Sequence, residues 1–276
     1  MPRTEDDELW IRRFHAAPDS AVSLVCLPHA GGSAHAYFPL SEGLIPSVEV
    51  LSVQYPGRQD RRWEPPATSV EELARSVATA LRGTLERPVA LFGHSMGGAV
   101  AFELARILER EGVTPVGLFV SARRAPSRHR YDPDARLPSD DEVKAEVRRL
   151  SGADAAILED AGLLDAFLPV IRADYAVAGG YRGAADARVG CPVTVLVGDA
   201  DPETTDEEAR AWRDHTTGAF TLHRYPGGHF YIEQHRAAVI DVLADALLPV
   251  GTAAAGPARP PAQAMSASSN PRLAGS

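Results

Sequence analysis

Short apolar runs alternate with longer segments of helical periodicity along most of the chain. The runs cover residues 21–27, 48–53, 88–92, 116–121 and 193–197, and residues 220–225, which are more polar, are predicted as the last strand. Continuous apolar runs of this length, separated by helical segments, are typical of strands buried on both faces of a parallel sheet. The pattern therefore predicts an α/β domain over residues 21–249, with a mostly parallel central sheet flanked by helices.

The segments between these runs carry helix signals. Ser69, with Glu72 three residues later, predicts a capping box for a helix that runs through Leu81. Further helices are predicted over residues 35–44, 99–109, 206–216 and 231–248.

The alternation of strands and helices stops between residues 127 and 190. Helical periodicity is found there over residues 140–150 and 161–176. An ordinary crossover with extra helices is one interpretation. Because long connections in compact domains are usually functional, we favour an insertion that forms a lid over an active site.

Both ends of the chain differ from the domain between them. Residues 1–20 form a polar extension, with Trp10, Ile11 and Phe14 as candidate anchors onto the domain. The first ten residues are acidic and lack the apolar core of a signal peptide. Residues 250–276 are rich in Ala, Pro, Ser and Gly, and this composition predicts a disordered tail.

Composition and charge narrow the class of protein. The 276 residues are 45% hydrophobic and carry a net charge of −9, which argues against nucleic acid as the main partner. No apolar run approaches the length of a transmembrane helix, so we expect no membrane span. Cys26 and Cys191 lie far apart in apolar runs, which favours buried thiols in a reducing compartment over a disulfide or a metal site.

The strongest local motif is G-x-S-x-G at Gly93, Ser95 and Gly97, between a predicted strand and a predicted helix. In this context the pattern is that of a nucleophile elbow, where glycines two residues on each side make room for a strained serine. The turn places the Met96 N–H at a helix N-terminus, where it can donate to a developing oxyanion. The alternative is a glycine-rich turn with an incidental serine.

A serine at its ordinary pKa is a poor nucleophile, so it needs a base and an acid that orients the base. After Ser95, the chain supplies Asp201 and then His229, each on a loop that follows a predicted strand. The order Ser, Asp, His is that of α/β-hydrolases. Asp199 is the competing acid; we prefer Asp201 because Asp199 directly follows the strand-ending glycine and is suited to serve the turn.

A second glycine-rich turn, residues 28–33, follows the first apolar run. No Lys-Ser/Thr pair follows, so it is not a phosphate-binding loop. We interpret the Ala30 N–H as the second oxyanion donor, with a plain turn as the alternative. We expect His29 to be structural and His94 to support the elbow by packing. The remaining histidines are predicted at the surface: His15, His35, His129, His215, His223 and His235.

Six motifs together resemble the type II thioesterases, stand-alone enzymes that serve polyketide synthases and nonribosomal peptide synthetases. They are residues 28–33 (PHAGGS), 55–58 (YPGR), 92–98 (FGHSMGG), 121–126 (SARRAP), 198–202 (GDADP) and 227–230 (GGHF). The match runs over about residues 21–248. Gly98 stands where the family often has alanine.

The resemblance implies an α/β-hydrolase fold and a cytoplasmic, monomeric enzyme. Such an enzyme removes stalled or wrong acyl groups from the phosphopantetheine arm of carrier proteins. The implied triad is Ser95, Asp201 and His229, and the implied oxyanion donors are Ala30 and Met96. The helical insertion corresponds to a mobile lid over about residues 136–190. No cofactor or metal is implied, because the substrate carries the phosphopantetheine.

Local arginines offer contacts for such a partner. Carrier proteins are usually acidic, and this chain is acidic too, so long-range attraction is weak. We therefore expect arginines near the site to face the phosphate of the arm or the carrier surface. The candidates are Arg58, Arg123 and Arg124, together with Arg61 and Arg62.

Three other functions are compatible with the fold. A chain-releasing acyl-carrier thioesterase has the same triad and a different acyl chamber. A general carboxylesterase or lipase accepts oxygen esters without a carrier. An inactive hydrolase fold used as a binding module is disfavoured, since it has no need of Ser95, Asp201 and His229 together.

Overall fold

The computed structural model describes residues 9–82, 84–129, 139–151 and 161–254. Its centre is a seven-stranded sheet with the order β1-β3-β2-β4-β5-β6-β7, in which β1 is antiparallel to β3 and the other neighbours are parallel. The strands are β1 (Ile11–Arg12), β2 (Val22–Leu27), β3 (Val48–Val53), β4 (Val89–His94), β5 (Gly117–Ser121), β6 (Val193–Gly198) and β7 (Phe220–Tyr225). The predicted mostly parallel sheet with flanking helices is confirmed.

The helices fill the intervals between strands and extend beyond the last strand. They are α1 (Phe38–Leu44), α2 (Val70–Leu81), α3 (Met96–Arg110), α4 (Asp140–Ser151), α5 (Ala161–Gly180), α6 (Asp206–Arg210), α7 (Tyr231–Gln234) and α8 (Arg236–Ala254). No helix in the described part of the chain is both long and apolar enough to cross a membrane.

The sheet has a separate hydrophobic core on each face. Along β2, Leu24 and Cys26 belong to one core, and Val25 and Leu27 belong to the other. Because both faces are covered, most residues of the central strands are apolar, which explains the apolar runs in the sequence. Cys26 and Cys191 are free, buried thiols in opposite cores.

The N-terminal extension joins the sheet, which the sequence analysis did not predict. Ile11 pairs with Val53 in an antiparallel bridge, and its side chain is buried in the core. Trp10 lies under the guanidinium of Arg61, 4.2 Å from the ring centroid. A two-residue edge strand carries no periodic signal, so its apolar residues suggested anchors rather than a strand.

Two predicted helices differ from the expectation: the first is shorter, and the second is divided in two. The segment after α6 is a 3₁₀ helix, Ala211–His215, that buries Trp212. The predicted helix from Tyr231 divides into α7 and α8 at His235. The capping box of α2 is half formed, since Ser69 accepts the Glu72 N–H.

The Glu72 carboxylate completes that cap differently. It accepts hydrogen bonds from the backbone and hydroxyl of Thr68.

Two predicted segments lie partly outside the described residues. Residues 136–138 and 152–160 of the expected lid are not described, and α4 and α5 account for much of the remainder. Residues 255–276 of the expected tail are also outside, whereas α8 continues to Ala254.

The strand order places two loops side by side at the centre of the sheet. The chain leaves β2 towards β3 on one side and leaves β4 towards β5 on the other. The loops after β2 and β4 therefore diverge and leave a crevice at the carboxyl edge, where α/β folds bind ligands.

Candidate active site

The turn between β4 and α3 holds Ser95 in a strained backbone conformation, with φ 54° and ψ −117°. Its N–H donates to the Ser121 carbonyl over 2.8 Å. A side chain at Gly93 would place its Cβ 2.1 Å from the Gly97 carbonyl oxygen, and one at Gly97 would lie 1.9 Å from the Leu27 carbonyl oxygen. Both glycines are therefore required by close backbone approach.

The structure brings Ser95, His229 and Asp201 together. His229 Nε2 lies 2.9 Å from Ser95 Oγ, and His229 Nδ1 lies 3.0 Å from each carboxylate oxygen of Asp201. A carboxylate only accepts, so the Nδ1–H donates to Asp201 and leaves Nε2 free to take the serine proton. The His229 and Asp201 side chains are 2% and 0% exposed, which shields their interaction from water.

The two competing aspartates have different partners. Asp201 also accepts the Glu203 N–H over 2.8 Å, which fixes the carboxylate. Asp199 accepts the Gly227 N–H over 3.0 Å and so braces the turn that precedes His229. The geometry thus separates an aspartate facing the imidazole from one that holds its loop.

Two further histidines surround His229. The ring centroids of His94 and His229 are 5.3 Å apart, and those of His94 and His29 are 5.8 Å apart. Burial, aided by the charge of His229, lowers the pKa of His29 to about 4 and the pKa of His94 well below its usual range. Both rings are therefore neutral at pH 7. His94 Nδ1 lies 2.8 Å from Ser121 Oγ, as expected of a residue that supports the elbow.

This cluster predicts an acid sensitivity of folding. Below its ordinary pKa near 6.5, His29 takes a proton in the unfolded chain but stays neutral in the folded protein. The free energy of unfolding should therefore fall as the pH drops from 6.5 to 4, and His29 should account for at most about 3 kcal/mol of the loss. Denaturant titrations across that range should show a shallower loss for His29→Gln than for the wild type.

Exposed His35 provides the control. His35→Gln should keep the wild-type pH dependence, since that ring lies at the surface. An unchanged slope in His29→Gln would contradict the assignment of a half-buried, neutral His29.

A cavity of about 140 Å³ lies beside the serine. Ala30 and Ser95 line it, and the Met96 N–H is the first of α3, where a helix provides no acceptor of its own. Ala122, with φ 51°, is a second strained residue in the wall. The rest of the lining is Arg123, Arg124, Glu146, Leu150, Tyr175, Ala178, Gly179, Glu203, Thr204 and His229.

Two of the predicted arginines lie at the cavity. Arg123 and Arg124 line the cavity. Arg123 donates to the Ala178 carbonyl over 3.1 Å, and burial beside Arg124 lowers its pKa to about 10. Arg124 donates to the backbone of Glu203 and lies 3.6 Å from its carboxylate.

The expectation that Arg58 contacts a carrier protein is wrong. Its side chain is 3% exposed and is paired with Asp174, a residue 116 positions later. Arg61 is also buried, over Trp10, whereas Arg62 is exposed and lies over Trp63. A short sequence motif gives no sign of a distant carboxylate, so Arg58 looked available.

The prediction that His215 lies at the surface is also wrong. The ring is fully buried, with Nδ1 2.7 Å from the Ala187 carbonyl and Nε2 2.8 Å from Ser127 Oγ. Sequence reasoning missed Asp174 as well, although a charged residue in the apolar run of α5 was a signal for it. Among the described residues, no cluster of three or more His, Cys, Asp or Glu could hold a metal ion.

Comparison with known proteins identifies the family. The thioesterase domain model matches residues 22–247. The chain is 53% identical over 251 residues to thioesterase PikA5 of Streptomyces venezuelae, covering 90% of this chain and 88% of that one. The structure of the type II thioesterase BorB, from the borrelidin biosynthetic cluster, is 46% identical with a TM-score of 0.82, covering 90% and 99%.

A second solved structure agrees. The RedJ thioesterase from the prodiginine pathway of Streptomyces coelicolor is 38% identical with a TM-score of 0.76, covering 83% of this chain and 86% of that one. The mostly parallel sheet described above is accordingly an α/β-hydrolase fold. This chain belongs to the thioesterase domain family and is a serine hydrolase of the thioesterase type.

Proposed function

We propose that this protein hydrolyses acyl thioesters on the phosphopantetheine arm of carrier proteins, and so removes stalled or wrong acyl groups from polyketide or nonribosomal peptide synthases. The observation that carries the proposal is the hydrogen-bonded series Ser95–His229–Asp201 beside a cavity. The type II thioesterase BorB, similar over 90% of this chain, supports the substrate class.

The reaction follows from the positions of these groups. His229 Nε2 takes the proton of Ser95 Oγ as the oxygen attacks the thioester carbonyl, and Asp201 stabilises the resulting imidazolium. The N–H groups of Met96 and Ala30 donate to the oxyanion. Collapse of the intermediate breaks the carbon–sulfur bond, and the thiolate receives the proton from His229.

Hydrolysis of the acyl-serine completes the cycle. Water attacks the ester carbonyl while His229 takes one of its protons, and the Ser95 oxygen leaves with that proton. The products are the free acid, the carrier with its thiol and the original enzyme. These steps use the side chains and backbone of the protein itself, so we propose an enzyme without a metal or a cofactor of its own. On the resemblance to the type II thioesterases, we also propose that it is cytoplasmic and monomeric.

The cavity arginines are the proposed contacts for the phosphopantetheine arm. Replacing both by glutamine, Arg123→Gln and Arg124→Gln, should raise KM for an acyl-phosphopantetheine about 5- to 20-fold, since a charge-assisted hydrogen bond contributes roughly 1–2 kcal/mol. The matching acyl-pantetheine lacks the phosphate, and its kcat/KM should change less than about twofold. Initial-rate kinetics on the two substrates provide the comparison.

Arg62 was also a candidate contact, but it is exposed, lies over Trp63 and does not line the cavity, so it supplies the matched control. Arg62→Gln should leave both substrates unaffected. Equal losses on the two substrates in the double variant would assign the arginines to the wall of the cavity rather than to phosphate recognition.

The proposed function is tested by presenting one acyl group in three ways: on a carrier protein, on a small thiol and on a simple alcohol. We expect a preference for the carrier-bound thioester, lost in Ser95→Ala. A preference for the oxygen ester would favour a general carboxylesterase. Turnover that yields a released full-length product, with no action on misprimed carriers, would favour a chain-releasing thioesterase.

A further inference from the structure

The second insertion helix, α5, lies directly on the turn that carries Ala30. The His29 carbonyl accepts the Gly32 N–H over 2.9 Å, which closes a β-turn with Gly31 in its third position at φ 76°. The Gly31 N–H points out of this turn and donates to Asp174 Oδ2 of α5 over 2.7 Å. A Cβ on Gly31 would lie 2.8 Å from Ile171 Cγ1, so helix and turn are in close contact.

Asp174 is held in turn by Arg58, from the loop after β3. The two side chains are 4% and 3% exposed, so their charges are shielded from water. The Arg58 guanidinium also donates to the Pro56 carbonyl over 3.1 Å. Burial raises the pKa of Asp174, and the charge of Arg58 together with the Gly31 N–H opposes that shift.

A second hydrogen bond fixes the chain just after the same turn. Gln54 accepts the Ala34 N–H over 2.8 Å and donates to the Arg58 carbonyl over 3.2 Å. The segment after β2 is therefore held at Ala34 by Gln54, which follows β3, and at Gly31 by Asp174 of α5. A flip of the peptide between Ala30 and Gly31 would turn a carbonyl oxygen towards the Asp174 carboxylate, and two acceptors in contact repel.

We propose that Asp174, held by Arg58, is a positioning residue that keeps the Ala30 turn in the conformation required for the oxyanion hole. The inference rests on the proposed roles of Ser95 and Ala30. Its consequence is that the hole is complete only while α5 is docked on the turn. Movement of the insertion helix therefore changes the reactivity of Ser95 as well as access to it.

The test compares two variants. Asp174→Asn keeps the side-chain shape and removes the charge, which weakens the hydrogen bond that the side chain accepts from the Gly31 N–H. The double variant Arg58→Met with Asp174→Leu removes both buried charges, an exchange that often leaves stability unchanged or improved. We expect kcat on a small acyl thioester to fall about 10- to 100-fold in both, with KM within about threefold, since loss of one oxyanion donor costs about 10² to 10³.

The decisive readout is the rate at which a fluorophosphonate labels Ser95, measured beside the melting temperature. This probe requires the nucleophile and the oxyanion hole but no carrier protein, so it gives a result even where the carrier substrate is not turned over. We expect slow labelling in a double variant that melts at or above the wild-type temperature. A purely structural role predicts labelling that recovers with stability.

Glu103→Gln is the matched control. Glu103 is another buried carboxylate, bound to Arg106 and to Tyr181, and it lies on α3 beyond its first two turns. The fluorophosphonate should label Ser95 of the Glu103→Gln variant at the wild-type rate. Wild-type labelling rates in both Asp174 variants would overturn the proposal, whereas an unreactive wild-type Ser95 would instead refute the proposed triad.

Discussion

Asp201→Asn should lower kcat by about four orders of magnitude, whereas Asp199→Asn should leave it within about threefold. The two residues are two positions apart, and the substitutions are chemically identical. Asp201 faces His229 Nδ1 over 3.0 Å with both oxygens, so an amide there favours the wrong tautomer of the imidazole. Asp199 binds the Gly227 N–H, and an asparagine oxygen can still accept that bond.

Steady-state kinetics of the two variants, with melting temperatures, provide the measurement. Both proteins should fold, because each amide occupies the volume of the carboxyl it replaces. Equal losses of kcat in the two variants would place the effect in the loop as a whole. A larger loss in Asp199→Asn would show that the acid has been assigned to the wrong aspartate.

Gly97→Ala should destabilise the protein by at least about 4 kcal/mol or prevent its folding. The new Cβ would lie 1.9 Å from the Leu27 carbonyl oxygen and 2.6 Å from the Leu27 carbonyl carbon. Those atoms belong to the end of β2, a central strand paired on both sides, so they cannot move without breaking the sheet. Chemical denaturation and circular dichroism measure the loss.

Two other glycine-to-alanine variants provide the comparison for this loss of stability. Gly98→Ala would approach Val120 Cγ1 and Arg123 Cβ at 3.1 Å, which are side-chain atoms, so we expect a folded and active protein. Gly190→Ala meets Glu109 at 3.5 Å, an ordinary contact. A stable, active Gly97→Ala protein would contradict the account of the elbow, because close backbone approach is its physical basis.

The central strands and the elbow were accessible from the sequence for a physical reason. Both faces of the central strands are covered, so these strands are largely apolar runs, and the predicted run 48–53 coincides with β3. The last predicted strand, 220–225, coincides with β7, although this edge strand is polar in part and only half-buried. The elbow needs a fixed spacing of glycines around Ser95, and such spacing is visible in one dimension. Local rules were sufficient for these elements.

Contacts between distant segments were not accessible in the same way. Arg58 meets a carboxylate 116 residues later, and His215 fills a core position through contacts to Ser127 and Ala187. Ile11 forms an edge strand too short to show a period. The residues that sequence reasoning misplaced are those whose partners come from other elements of the fold.

The separation of Asp201 from Asp199 is an intermediate case. Sequence reasoning preferred Asp201 because Asp199 follows the end of β6 and suits the turn. The hydrogen bonds of the two carboxylates have that arrangement in the structure. Which of them acts in catalysis is decided by the kinetic comparison above.

The most direct test of the account is to look for the acyl group on Ser95. The enzyme is mixed with an acyl-loaded carrier protein, quenched within milliseconds, digested and analysed by mass spectrometry. We predict a transient acyl mass on the peptide that contains Ser95, together with free carrier thiol, and neither of these in Ser95→Ala. Free carrier thiol released equally fast by Ser95→Ala, or an acyl mass on a different residue, would contradict it.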